Sequence, residues 1–275
     1  TNNECALRKI TFSETKPIST YVFAFAAGNF AEIVDPVPTF GTKLYVRSSK
    51  AKTTNPAVFN ETLRLNRECV KYFEEYFAYR FPFSKYDLVL IPEFPFGGME
   101  HAGATFLRES SIIFPSEPTK SDLVSRANLI FHEAAHQWFG ELVTMRWFDD
   151  LWLKEGFATF MGYKAMNSIM PEMNAWKVFY ERTKQTAYQT DSTQGTTPVY
   201  QEIPNLSAAK SAYGAIVYNK APSFLKQAEY YLGEKEFQTA VRSLLQKYQF
   251  RNAAWQDLVK EFSIANKTDL TDWGN

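Results

Sequence analysis

Apolar residues recur at helical spacing between residues 56 and 79, where Phe59, Leu63, Val70, Phe73 and Phe77 share one face. That spacing predicts an amphipathic helix. Before it, residues 18 to 34 (ISTYVFAFAAGNFAEIV) alternate aromatic and small residues around a Gly-Asn turn and read as strand. A Pro-rich link, Pro36 to Thr39, leads to a second short strand at Lys43 to Arg47. The apolar run from Tyr86 to Ile91, bounded by Lys85 and Pro92, predicts a buried strand, and Pro92 to Phe106 reads as a Gly- and Pro-rich loop feeding another. From Ser121, the expected N-cap, a helix runs to about Gly140 with Val124, Ala127, Phe131, Ala135 and Trp138 on its apolar face. A second helix starts behind Asp149 or Asp150, either of which suits a cap, and continues through Phe157, Phe160 and Met161. Residues 189 to 207 are polar and read as surface loop, whereas 212 to 248 and 252 to 265 are helical by periodicity.

The chemistry falls on those two central helices. His132 and His136 are four residues apart, so on a helix they lie on one face and can reach one metal ion, with Glu133 between them. A catalytic zinc keeps three protein ligands and one open position, so a third ligand must come from elsewhere. Eighteen residues separate His136 from Glu155, enough to end one helix, cross a loop and bring a carboxylate back on the next. Glu133 is then left over as a general base. Against this stands a chance HExxH on a core-packing helix, but the chain has only three histidines and two of them are in the motif. Gly97 and Gly98 let backbone approach a ligand closely, although a Gly-Gly pair alone reads as a plain turn. Among fifteen tyrosines, any one is first a packing residue.

The stretch HEAAHQWFGELVTMRWFDDLWLKEGFATF, from His132 to Phe160, resembles the zinc signature of the gluzincin aminopeptidases related to membrane alanyl aminopeptidase and leukotriene hydrolase. Gly97, Gly98, Met99, Glu100 and His101 resemble that family's G-x-M-E-N exopeptidase segment, with His101 where Asn is usual. Tyr218 in VYNKA matches the tyrosine of its Y-x-K-G segment, with Ala221 in place of Gly. The resemblance implies one zinc on His132, His136 and Glu155, with Glu133 as base. It also implies an oxyanion donor at Tyr218 and, at Glu100, a carboxylate that holds the substrate's free ammonium. A blocked amine would lose that pair and meet an uncompensated charge. His101 could orient Glu100 by hydrogen bonding. Arg108 and Glu109, in FLRES, take a structural role, and Tyr213 only lines the site. The implied fold is α+β: a thermolysin-like zinc metallopeptidase catalytic domain, mostly helical with a small sheet. Residues 1–43 form the C-terminal part of an N-terminal β-domain, and 44–275 the catalytic domain. The implied reaction is hydrolysis of the N-terminal peptide bond of peptides.

Composition is compatible with this. With 275 residues, 45% hydrophobic and 16% aromatic, the chain can bury a sizeable core rich in ring packing. Thirty basic and thirty acidic residues cancel, so no bulk field argues for nucleic acid or an anionic membrane, and no motif implies a nucleotide or redox cofactor. Cys5 and Cys69 are too few to imply a disulfide framework. The chain has no signal peptide and no apolar run of about eighteen residues, but Thr1 is not a natural start, so the compartment stays open. The end, TDLTDWGN, falls where a segment leading to further family domains is expected. A chain lacking them should be weakly active. Two other classes remain: a zinc hydrolase of a non-peptide substrate such as an epoxide, and a non-catalytic binding module.

Overall fold

This computed structural model describes residue 9 and residues 11–37 and 41–274. Strands β1 (Phe30–Val34), β2 (Lys43–Arg47), β3 (Asp87–Ile91), β4 (Gly98–Met99) and β5 (Ala104–Arg108) form one sheet in the order β1-β2-β3-β5-β4. β2, β3 and β5 are parallel, and β1 and β4 join antiparallel at the two edges. Parallel neighbours need a crossover, and the Pro56–Phe77 helix supplies it between β2 and β3. Asn55 caps that helix by accepting from the Ala57 amide at 3.0 Å, with Pro56 in the first turn where an N–H is not needed.

The body is helical, as the α+β reading requires. The Lys120–His136 helix, called the histidine helix below, opens on a reciprocal capping box between Thr119 and Asp122. Ser121 is therefore not the cap, and its hydroxyl instead accepts from Arg182. The helix stops at His136 rather than near Gly140, and the Glu141 amide turns back to the His136 carbonyl. The Leu151–Ile169 helix, the glutamate helix, is buried on every side from Leu151 to Met166. A helix buried all round sits at the centre of its domain. It packs between the histidine helix and the Ala221–Leu232 helix. Gly156 allows the second contact, because a Cβ there would lie 2.9 Å from Ala221 Cβ. Neither Asp149 nor Asp150 caps this helix: Asp149 accepts from the Ile203 amide and Asp150 from the Trp255 amide. Both carboxylates are drawn off to tie its start to distant segments.

A ladder of rings fixes these helices against one another. Phe73 meets Trp138 at 5.7 Å between centroids, Phe77 meets Phe139 at 5.6 Å, and Phe139 stacks on Phe157 at 4.1 Å. Phe157 in turn stacks on Phe237, which packs on Phe262. The ladder thus runs from the first long helix to the helices Glu234–Tyr248 and Trp255–Asn266.

Some elements differ from their sequence pattern. Only Phe30–Val34 of the 18 to 34 run is strand; Thr20–Val22 forms a single 3-10 turn, and Phe23 and Phe25 are exposed. No described strand pairs with that stretch, so its alternation has no sheet to serve. The expected helical tail is interrupted at Gly233, and β7 (Arg251–Ala253) pairs in parallel with β6 (Val143–Met145). The Pro36 to Thr39 link falls partly outside the described residues, as does Cys5, and Cys69 is a buried free thiol. Among the described residues no helix is long and apolar enough to cross a membrane.

Phe73 is fully buried at the head of the ring ladder. Phe73→Ala should cost about 3 to 5 kcal/mol of stability, seen as a lower urea midpoint at unchanged slope. An unchanged midpoint would show that the ladder does not bear on stability.

Candidate active site

His132 and His136 project from the last turns of the histidine helix, and Glu155 from the second turn of the glutamate helix. Their Nε2 atoms lie 3.0 Å apart, and Glu155 Oε2 is 3.4 Å from His132 Nε2 and 3.2 Å from His136 Nε2. For zinc bonds of about 2.0 to 2.1 Å, the donor-to-donor edge of a tetrahedron is about 3.3 Å. The triangle of donors therefore has the size a zinc ion needs. His136 Nδ1 faces the Phe139 carbonyl at 2.9 Å, and His132 Nδ1 meets Thr159 Oγ1 at 3.3 Å. The carbonyl holds the proton of His136 on Nδ1 and leaves Nε2 free to bind a metal. Thr159, one turn beyond Glu155, came with no signal in the sequence. A second group, Glu100, Glu133 and His136, is also close enough to share an ion. Its Glu100 is already engaged by an ammonium.

That ammonium belongs to Lys154. It is 2% exposed and bonds Glu100 Oε1 at 2.6 Å and Glu155 Oε1 at 2.8 Å, between the rings of Tyr21 and Tyr213. The expectation of a Glu100 with no cation beside it is thus corrected: one of its oxygens is paired before any substrate arrives. Burial opposes charge on Lys154, but Glu100 and Glu155 outweigh it and hold the lysine well above its ordinary value. Burial likewise disfavours a charged Glu155, yet Lys154 and His136 hold its carboxyl well below the usual range. For His136, burial is overcome by Glu100 and Glu155, which raise it to about 9. A metal at Nε2 competes with that proton.

Glu133 is buried, and its Oε2 has no hydrogen-bond partner. Burial, opposed by His136 and reinforced by Glu100 and Glu155, pushes it up to about 8. Gly98 is what admits it: a Cβ there would stand 2.5 Å from Glu133 Oε1. The loop carrying Gly97 to Glu100 lies along the histidine helix, with Gly97 against Leu129 and the Glu100 carbonyl accepting from Gln137 at 2.9 Å. Met99 pairs with Phe106 on β5 and lines the cavity. Arg108 shapes the loop by donating to the Phe94 and Pro95 carbonyls, and Glu109 pairs with Arg47 at 2.6 Å, so both are structural. His101 does not orient the Glu100 carboxylate. Its Nδ1 faces the Val22 carbonyl at 3.1 Å and its ring packs on Phe106.

Tyr218 lies in a π-helical turn, Ile216–Lys220, its ring centroid 6.1 Å from that of His132. Burial raises its phenol far above the ordinary value, so it stays a donor. Tyr213 lines the same cavity of about 970 Å³, together with Glu100, Glu133, Glu155 and Arg182. Gly97, Gly98, Met99, Glu100, His132, Glu133, His136, Glu155 and Tyr218 all line this cavity, whereas His101 does not. Lys154 and Arg182 were not singled out, because a lysine or arginine on a helix reads as solvated until its neighbours are known.

Residues 61–273 match the model of the Peptidase family M1 domain. The chain belongs to peptidase family M1. It is 33% identical over 268 residues to the leucyl aminopeptidase of Saccharolobus solfataricus, covering 95% of this chain and 33% of that protein. It is 34% identical over 272 residues to aminopeptidase M1-C of Oryza sativa subsp. japonica, covering 97% of this chain and 30% of that protein. With the puromycin-sensitive aminopeptidase of Caenorhabditis elegans it shares 33% identity over 266 residues, covering 96% of this chain and 28% of that protein. The chain thus spans about a third of the length of the curated relatives it matches. The M1 family is zinc-dependent in general, and the donor set found here suits that metal.

Lys154 should be indispensable to the metal-free site of this M1 chain. Lys154→Met leaves two buried carboxylates without their cation and should cost about 3 to 5 kcal/mol, measured by urea unfolding. Adding Glu100→Gln should recover part of it. Strict additivity of the two changes would show that the pair does not interact.

Proposed function

We propose that the chain is the catalytic core of a zinc aminopeptidase that hydrolyses the first peptide bond of peptides with a free N-terminus. The observation that carries this is one cavity joining a zinc-sized triangle of His132, His136 and Glu155 to a buried, unpartnered Glu133 and to the Glu100 carboxylate. The relatives, each bearing an aminopeptidase name, support the same reading. Nothing in the site or the comparisons favours a non-peptide substrate or a non-catalytic role. Residues 1–43 are read as the end of a preceding β-domain and 44–275 as the catalytic domain, with β1 pairing to β2 across that point.

His132, His136 and Glu155 would hold one zinc ion. Bound there, it would supply Lewis acidity, polarising the scissile carbonyl and making water a nucleophile near neutral pH. Glu133 takes the proton from that water and passes it to the leaving amine; it is buried in the cavity and its Oε2 has no other hydrogen-bond partner among the described residues. Tyr218, protonated and facing His132, donates to the oxygen on which negative charge develops. The β4 backbone, Gly98–Met99, offers hydrogen-bonding groups at its free edge to an extended substrate. Glu100 takes the substrate's ammonium, and Lys154 keeps that carboxylate ionised and aimed.

If this metal assignment holds, Glu155→Ala protein should fail to retain zinc through dialysis, whereas Glu133→Gln should keep it and lose turnover. Stoichiometric zinc in Glu155→Ala would remove the assignment.

The aminopeptidase reading itself is tested with a matched pair of free and N-acetylated peptides. Loss of the ammonium costs one partner of a buried charge pair, and because Lys154 already neutralises part of Glu100 we expect the lower end of about 2 to 5 kcal/mol. That is a roughly thirtyfold lower kcat/KM for the acetylated peptide, and Glu100→Ala should erase most of the difference by slowing the free peptide. Equal cleavage of both peptides by the wild-type protein would make Glu100 structural and refute the reading.

A further inference from the structure

The cavity has two chemically unlike ends. Glu100 sits beside the C-terminal end of the histidine helix, where Gln137 donates to its carbonyl. Arg182 also lines the cavity, but it donates to Ser125 Oγ at 3.1 Å and Ser121 Oγ at 2.7 Å, near the helix's other end. Those serines precede His132 by seven and eleven residues. At a rise of 1.5 Å per residue they lie about 10 to 16 Å up the axis.

The direction of a bound peptide follows from β4. That strand is at the sheet edge, and from Gly97 beside Leu129, through Gly98 beside Glu133, to Glu100 beside Gln137 its segment runs the same way as the histidine helix. A peptide pairing antiparallel along that edge has its amino end at Glu100 and its leaving portion heading past Leu129 towards Arg182. An extended chain advances about 3.3 to 3.6 Å per residue, so about 10 Å is about three residues past the scissile bond.

Arg182 is suited to meet an anion there. Its partners are two neutral hydroxyls, and no carboxylate among the described residues is in ion-pair distance of it. The neighbouring Glu181 turns to Lys177 at 3.8 Å. Arg182 also belongs to a π-helical turn, Phe179–Lys184, that packs on the π-helical turn carrying Tyr218. Such widened turns are rare and concentrate at functional sites.

We infer that Arg182 is a carboxylate-recognition point on the leaving-group side, which favours peptides that place a carboxylate about three residues beyond the scissile bond. The carboxylate is either the chain end of a peptide of about four residues or an Asp or Glu side chain at that position. This rests on the aminopeptidase reading above.

The test uses the zinc-loaded protein and tetrapeptides with one common N-terminal residue: a free acid, its C-terminal amide, and an amide with Asp at the fourth position. Arg182 is exposed, so the acid should be preferred by about fivefold in kcat/KM, chiefly through KM. The preference should shrink in molar salt. Arg182→Gln should bring the acid-to-amide ratio to about one, and Arg182→Lys should retain part of it. An aspartyl amide as good as the acid extends recognition to side chains, and one no better than the plain amide restricts it to chain ends. Lys210 also lines the cavity, and a preference lost in Lys210→Gln but kept in Arg182→Gln overturns the assignment. If wild type cleaves acid and amide alike, this inference falls and the aminopeptidase reading stands. If it cleaves neither, both fall.

Discussion

Glu100, Glu133 and Glu155 are buried around one cavity, and carboxylates so placed raise one another's cost of ionisation unless positive charge is set among them. Lys154 supplies part of that charge. It takes one oxygen of Glu100 and one of Glu155, leaving Glu155 Oε2 for the histidines. Glu133, which no lysine reaches in this way, drifts towards its neutral form instead. The same carboxylates that raise the proton affinity of His136 would be compensated by a metal cation bound at Nε2.

Holding those charges requires two helices that do not move relative to each other. The stacked pair Phe139 and Phe157 joins the segment just after His136 to the turn just after Glu155, and the ring ladder extends the clamp into the C-terminal helices. Gly156 lets the helix that follows Tyr218 lie against the glutamate helix, and Gly98 lets the β4 loop lie against Glu133. Small residues at those two points bring backbone, base and phenol within reach of one cavity, where larger ones would hold them apart.

On the proposed reading the cavity is directional. Its β4 edge would give a peptide one orientation, with Glu100 at the ammonium end and the Arg182 guanidinium farther along the helix. Both features come from elements that pack on the histidine helix at opposite ends, which makes that helix the axis of the site.

Residue order along the chain was enough to specify the helix bearing His132, Glu133 and His136, the later return of Glu155, and the strands at Lys43–Arg47 and Asp87–Ile91. Local periodicity and ligand spacing act over a few residues, and nothing distant had to be known to read them. It did not determine the caps, since Asp149 and Asp150 satisfy amides at Ile203 and Trp255, partners more than fifty residues away. Nor did it determine the length of the first strand region, whose alternation becomes sheet only where β2 lies beside it. Lys154 stood in plain view next to Glu155, yet it meets Glu100 through the packing of segments fifty-four residues apart. Side-chain charge acquires its role from burial and from neighbours distant in sequence, and those are decided by how the helices pack, not by the order of residues along any one of them.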